Sequence, residues 1–310
     1  MRKKLIIDGH NLLFRAHWAF KKNIADYGND EQYIIYVFLN ILKSYVRLFE
    51  PSEIIICWDT KPEGEVNSRK EIISEYKAQR VNHENVFKYL NDITDILSSL
   101  GVKQVHPKKY EADDILYWLC AKKYPNQCIL VTTDSDLYQI IVPELSNNIF
   151  YNPKRKAQVN SVFLKQKYSV NDGREYIIKK ALRGDVADNI SGIKGIRQTR
   201  IDNIIECLGP DFDFESLVKS KIMTDSELEI FERNLKVMKL DEVLKHEDEI
   251  LFYEEALSKE VKPDKNLFKE LIKKAELWII YRKLSEWYYA FQPKDESVPS
   301  YLDIYSNVFP

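Results

Sequence analysis

The 310-residue chain is poor in cysteine, has no long apolar run and shows no excess of basic charge. Its four cysteines, Cys57, Cys120, Cys128 and Cys207, lie in or beside apolar segments and share no ligand-like spacing. That excludes a disulfide framework and a zinc site, and suits reduced core residues of a cytoplasmic protein. No apolar stretch approaches the roughly 20 residues of a membrane-spanning helix, so no membrane partner is expected. The opening MRKKLIIDGHN turns polar after three apolar residues, which argues against a signal peptide. No internal repeat or low-complexity block is visible. A formal net charge of −2 argues, as an average, against a nucleic-acid partner. The average misleads if acids are gathered at one place: nine set aside from −2 leave the remainder at +7. The distribution of charge therefore matters more than its sum.

What is present is a globular composition, 45% hydrophobic and 30% charged, in place of a disordered one. The first half alternates short apolar runs, KLIID (Lys4–Asp8), EIIICWD (Glu53–Asp59) and CILVTTD (Cys128–Asp134), with helical patterns around Tyr33–Phe49, Val86–Leu100 and Asp114–Tyr124. In the second of these helices Val86, Leu90, Ile93, Leu97 and Leu100 recur at steps of three and four, giving one apolar face. Strands alternating with helices predict an α/β fold with a mostly parallel sheet flanked by helices. From about Val170 the pattern is almost wholly helical. An aromatic-rich stretch over Leu267–Phe291 reads as core, and the segment from Gln292 onward reads as an extended tail.

Each of the three predicted strands ends in aspartate: Asp8, Asp59 and Asp134. Singly, an aspartate there is a helix cap. Three on parallel strands converge on the carboxyl edge of one sheet, where such sheets bind ligands. The motif TTDSD adds Asp136. The segment YEADD places Glu111, Asp113 and Asp114 in the first turn of a helix, and RGDVADN places Asp185 and Asp188 three apart. Nine clustered carboxylates repel one another and raise each other's pKa values unless cations neutralise them. Oxygen donors without histidine or cysteine suit hard ions, Mg²⁺ or Mn²⁺. Two such ions about 4 Å apart form the clamp used for phosphodiester displacement.

In order along the chain, IIDGHNLLFR, CWD, RKEIISEYKAQR, YEADDI, TTDSDLYQ, RGDVADNISGIKGI and ERNLKVMKLD resemble the motifs of the flap endonuclease and 5′-to-3′ exonuclease family. That family includes stand-alone bacteriophage and bacterial enzymes and the amino-terminal nuclease domain of bacterial DNA polymerase I. The resemblance runs from Lys4 to Asp241. It implies a PIN-like nuclease core over residues 1–170, with a helical arch at about 60–100. A helical DNA-binding region would follow over 171–291, with a helix-three-turn-helix motif at about 185–208, and then a tail over 292–310. By resemblance, Asp8, Asp59, Glu111 and Asp113 would serve a first metal and Asp134, Asp136 and Asp188 a second, with Asp114 and Asp185 supporting. Lys77 would stabilise transition-state charge and Arg80 position phosphate; Arg69 and Tyr76 would grip or stack the nucleic acid. Lys194, Arg197 and Arg200 would hold duplex phosphates without reading sequence. Arg197 stands where the family usually has a glycine, which puts a K⁺ site in that loop in doubt.

The function so implied is a Mg²⁺-dependent structure-specific 5′ nuclease, acting as a monomer on DNA. It would remove 5′ flaps and RNA primers in replication or repair, in a bacterial cell or a phage-infected host. A replication protein is a candidate partner for the tail. Two rivals stay open: a flap-binding clamp that does not cut, and a PIN-type single-strand ribonuclease. The basic clusters Lys103–Lys109 and Asn152–Gln158 fit either DNA-facing or solvated loops, and His10 and His17 are expected to serve local structure.

Overall fold

The computed structural model describes residues 2–22, 32–59, 68–79 and 84–292. Arg80, residues 60–67 and 81–83 of the expected arch, and the tail from residue 293 lie outside the described residues. The first half runs β1 (Lys4–Asp8), α1 (Gly9–Lys22), α2 (Tyr33–Phe49), β2 (Glu53–Cys57), α3 (Ser68–Ile72), α4 (Leu90–Ser99), β3 (Lys103–Val105), α5 (Ala112–Trp118), β4 (Cys128–Val131), β5 (Ile149–Asn152) and β6 (Ala157–Val159). The second half continues with α6 (Ser161–Tyr168), α7 (Gly173–Arg183), β7 (Gly184–Asp185), β8 (Ile190–Ser191), α8 (Gln198–Leu208), α9 (Phe214–Ser220), α10 (Asp225–Met238), α11 (Glu247–Ser258), α12 (Lys265–Lys274), α13 (Trp278–Tyr281) and α14 (Leu284–Ala290).

Six strands form one sheet in the order β3-β2-β1-β4-β5-β6. All neighbours pair in parallel except β5 and β6. The central strands are buried on both faces, which is why they read as unbroken apolar runs. Alternate residues feed opposite cores. Leu5, Ile7, Ile54 and Ile56 join α1, α2 and α4 in one cluster, whereas Ile6, Ile55 and Leu130 join α5 in another. The chain leaves β1 towards β2 and β3, then returns to place β4 on the other side of β1. The sheet order thus reverses at β1 and β4, and a crevice opens outside their carboxyl ends. Helix α1 starts immediately after Asp8. At Gly9 an added Cβ would stand 2.5 Å from a Trp58 ring carbon, so glycine permits that close entry.

Several expectations needed correction. Strands β2 and β4 stop at Cys57 and Val131, so Asp59 and Asp134 lie in the turns beyond them. Strand β3 and the β5–β6 hairpin take up parts of the two basic clusters, whose lysines conceal short edge strands. The aromatic stretch over Leu267–Phe291 breaks into α12–α14. Trp287 and Tyr288 are buried as expected, but Trp278 and Tyr289 are exposed. Packing also divides the chain differently from the expected boundary at 170. A third cluster joins α7, α8, α9 and α10, whereas Phe268, Ile272, Ile280 and Trp287 of α12–α14 pack back onto the sheet with α2 and α4.

Candidate metal centre

The site is built at the β1/β4 crevice, and its carboxylates are anchored before any ligand is considered. Asp8 is 8% exposed. Its Oδ1 accepts the Asn11 N–H at 2.9 Å and its Oδ2 accepts the Thr132 hydroxyl at 3.0 Å. The same Thr132 Oγ1 accepts the Asp134 N–H at 3.0 Å, and Asp134 Oδ1 accepts the Asp136 N–H at 2.9 Å. Asp59 donates its N–H to His10 Nδ1 at 2.8 Å and accepts the Ala112 N–H at 2.6 Å, which ties the end of β2 to the start of α5. Glu111 is the N-cap of α5 in a capping box with Asp114. Glu111 Oε2 faces the segment after α3, accepting Lys77 Nζ at 2.6 Å and the Tyr76 hydroxyl at 3.2 Å.

These groups repel one another. Burial, reinforced by the charges of Asp59 and Asp134, pushes the Asp8 carboxyl up to about 7, despite the Asn11 and Thr132 hydrogen bonds. Burial and the charges of Asp134, Asp8 and Asp59 hold Asp113 well above the usual carboxylate range, although Lys77 opposes the shift. The charges of Asp59 and Asp134 act on both Asp8 and Asp113, which places the four carboxylates close together. A few residues away, Asp136, Asp185 and Asp188 bring one carboxylate oxygen each within 4.8 Å of one another. Among the described residues no other trio closes so tightly. Burial likewise pushes Asp136 up to about 6, because Asp134 and Asp188 partly offset the lowering by Lys180.

Asp185 and Asp188 are held by the two-residue strands β7 and β8. Gly184, at φ 77°, opens this hairpin; a Cβ there would stand 2.4 Å from the Gly192 nitrogen. The hairpin is joined to the Lys77 segment. Lys77, itself at φ 56°, donates its N–H to the Asp188 carbonyl at 3.1 Å, and Gln79 Nε2 donates to Asn189 Oδ1 at 3.0 Å. Lys77 is thereby fixed between the two groups of carboxylates.

Four of the expected site residues have other work. Arg69 is buried and forked onto Asp114, at 2.8 and 2.7 Å, with its Nε on the Val237 carbonyl, so it braces α5 against α10 and does not face nucleic acid. Asp114 is 0% exposed and spent on that pair and on the capping box, which removes it from the candidate metal ligands. The Tyr76 ring is buried in the third core cluster, so it is not placed to stack on a base. Arg200 forks onto Glu227 at 2.7 and 2.6 Å and also donates to the Ile222 carbonyl, which joins α8 to α10. Lys194 and Arg197 are exposed at the start of α8. Arg197 sits at φ −87°, an ordinary extended conformation, so its side chain imposes no backbone strain where glycine was expected.

Two participants, Thr132 and Lys180, escaped sequence reading. Thr132 was legible in principle, because it stands two residues before Asp134 in the same motif. His10 serves local structure as expected, packing on Trp58 and Phe87 while its Nδ1 accepts the Asp59 N–H. Lys180, whose ammonium pairs with Asp136 and Asp185, gave no signal: it is one of two adjacent lysines on a helix whose buried face is mostly apolar.

The donor set fits hard divalent cations. It offers carboxylate oxygens only; burial pushes the nearest thiol, Cys57, well up and keeps it protonated. Carboxylates whose pKa values are raised by burial and by mutual repulsion are those that a cation would neutralise.

Comparison with known proteins identifies a family. A family model described as 5′-3′ exonuclease, N-terminal resolvase-like domain, matches residues 3–169. The chain is 29% identical over 220 residues to a 5′-3′ exonuclease of Halalkalibacterium halodurans, covering 66% of this chain and 70% of that one. It is 28% identical over 219 residues to the thermostable DNA polymerase I of Thermus aquaticus, covering 70% of this chain but only 25% of the polymerase. A bacteriophage T5 flap endonuclease, solved as a pseudo-enzyme–product complex with DNA and metal ions, superposes with a TM-score of 0.62 at 23% identity. That match covers 89% of this chain and 100% of the phage protein. At that identity it shows a shared fold.

Proposed function

The chain belongs to the 5′-3′ exonuclease family of nucleases, and from that premise we propose that it is a structure-specific 5′ nuclease that hydrolyses DNA phosphodiesters with Mg²⁺ or Mn²⁺. The observation that carries this reading is the gathering of carboxylates from β1, the β2 and β4 turns, α5 and the β7–β8 hairpin at one sheet edge, with Lys77 held among them.

Asp8, Asp59, Glu111 and Asp113 would hold one cation, and Asp134, Asp136 and Asp188 a second, with Asp185 beside them. Bound there, the ions supply an activated water and neutralise charge on the phosphate. The chain's own residues do the rest. Asn11, Thr132 and the Ala112 N–H orient the Asp8 and Asp59 carboxylates that would hold an ion. Arg69 and Tyr76 lock Glu111 from behind. Lys77, on its left-handed backbone, offers an ammonium to the phosphate oxygens as charge builds on them. The exposed Lys194 and Arg197, with the backbone amides that open α8, suit a duplex phosphate.

In this reading the six-stranded sheet with α1, α2, α4, α5 and α12–α14 forms a PIN-like core, the expected arch stops short of α4, and residues 185–208 form a helix-three-turn-helix. The biological task would be removal of 5′ flaps and RNA primers. A duplex with a labelled 5′ flap tests the proposal. Mg²⁺-dependent release of short 5′-phosphorylated products supports it. Binding without cleavage in either Mg²⁺ or Mn²⁺ would leave a clamp, and preference for unpaired RNA would leave a ribonuclease.

A further inference from the structure

Lys180 is the one member of the acidic site that the reading above leaves without a task. It projects from the last turn of α7, five residues before Asp185, and its side chain is only 13% exposed. Its ammonium pairs with Asp136 Oδ1 and, at 2.6 Å, with Asp185 Oδ2. These two residues belong to the trio, with Asp188, whose oxygens close to within 4.8 Å. A positive charge thus stands among the oxygens that would bind a cation. Burial works against the Lys180 charge, but Asp136 and Asp185 outweigh it and hold the ammonium pKa far above its ordinary value.

We propose that Lys180 is an internal counter-cation of the second metal position. It neutralises the Asp136–Asp185–Asp188 trio in the metal-free protein, and it must draw away from the Asp136 and Asp185 oxygens when a divalent ion binds them. The inference rests on the metal-dependent reading of this site. Three close carboxylates without a cation would repel one another, and with Lys180 among them the trio carries one negative charge fewer. The same ammonium repels an incoming divalent ion and occupies lone pairs that the ion needs. Lys180 therefore weakens binding of the second ion in exchange for a site that holds together when empty. The first group of carboxylates, around Asp8 and Asp113, has Lys77 on Glu111 at its margin and no ammonium paired with Asp8, Asp59, Asp113 or Asp134 among the described residues. The two ions should accordingly differ in affinity.

The test is titration of Mn²⁺ alone into the full-length protein, followed by calorimetry, for the wild type and for Lys180→Met. The methionine keeps the length of the side chain and removes its charge. The expected result is two binding events in the wild type, the weaker one tightened by about tenfold or more in Lys180→Met, together with a lower melting temperature of the metal-free variant. Two events of unchanged affinity would overturn this inference alone. No binding to either protein would overturn it together with the metal-dependent reading. Should Lys180→Met not fold, side-chain ¹⁵N spectra of the wild type decide the point. An ordered, slowly exchanging lysine ammonium resonance should be lost on saturation with Mg²⁺, and its persistence would overturn the proposal.

Discussion

Replacing Asp8 by asparagine should make the metal-free protein more stable, by an amount that grows with pH. The folded Asp8 carboxyl is pushed from the usual 3.8 up to about 7, so between those values the native state holds a proton that the unfolded chain has released. Stability falls with rising pH wherever the native state binds the more protons. The contribution is therefore complete below about pH 4 and is lost as pH climbs through about 7. At about 1.4 kcal/mol per pH unit, the wild type forfeits about 2 kcal/mol by pH 5 and about 4 kcal/mol by pH 8. Asparagine carries no such loss. Its carbonyl still accepts the Asn11 N–H, and its amide can donate to the Thr132 hydroxyl, which then gives up its proton to another acceptor.

With an unfolding entropy of about 2.1 cal/mol/K per residue, a 310-residue chain gains roughly 1.5 °C per kcal/mol. Asp8→Asn should thus melt about 3 °C above the wild type at pH 5 and about 6 °C above it at pH 8, both in EDTA. Saturating Mg²⁺ at pH 8 should reverse the order, because an ion that binds only the folded state stabilises it by mass action and the variant has lost a ligand. Scanning calorimetry in the two buffers, with and without the ion, reads all four values. A gain that fails to widen between pH 5 and pH 8, or a metal-free variant that melts lower than the wild type, refutes the claim that the empty site is held under electrostatic strain.

Other substitutions separate the roles of neighbouring residues. Asp134→Asn should abolish cleavage of a 5′-flap duplex while leaving affinity in Ca²⁺ within about threefold, as gel shift would show; a parallel loss of binding would place the phosphate grip on the metals. Lys77→Ala should lower kcat by about a hundredfold or more with little change in KM, the pattern of a group acting chiefly in the transition state; an effect confined to KM contradicts it. Arg69→Met should cost about 3 to 5 kcal/mol, since it strands the Asp114 carboxylate in the core, and so lower the melting temperature by about 5 to 8 °C. A stable Arg69→Met protein with weakened DNA binding would restore the original nucleic-acid role. Arg197→Ala should weaken binding to all duplex sequences alike and reduce the salt dependence of binding by about one phosphate contact.

The sequence made some features legible and hid others for identifiable reasons. The central strands announced themselves because strands buried on both faces are continuously apolar, and the carboxylates because each ends such a run or opens a helix. The edge strands did not. Lys103–Val105 and Ala157–Val159 have only one buried residue each and carry lysines or glutamine on the open side, so they resemble solvated loops. Membership of the acidic group was readable, but orientation was not. Glu111, the N-cap of α5, and Asp114, in its first turn, both reach Arg69, yet only Glu111 also meets Lys77 at the site. That choice is made by α10, whose Val237 carbonyl fixes the arginine from a distance of 168 residues. Arg69, Tyr76 and Arg200 fell in motifs rich in exposed cations, and nothing local distinguishes an arginine aimed at phosphate from one forked onto a buried carboxylate.

Those same three residues explain how an acidic site of this density is tolerated at all. Each uses hydrogen bonds to carboxylates or carbonyls of a different element: Arg69 joins α5 to α10, Tyr76 joins the arch-side segment to Glu111, and Arg200 joins α8 to α10. None removes repulsion at the β1/β4 edge, where Asp8 and Asp113 keep raised pKa values. They instead hold the backbone so that the edge cannot relax by moving apart. The repulsion is thereby retained as binding capacity for cations, and any substitution that loosens the frame should reduce metal affinity without touching a metal ligand. Arg69→Met separates the two effects. If its Mn²⁺ affinity falls together with its melting temperature, the frame is what keeps the carboxylates close. Unchanged affinity in a less stable protein would show that the ligands hold their spacing by the local bonds of Asn11, Thr132 and Ala112 alone.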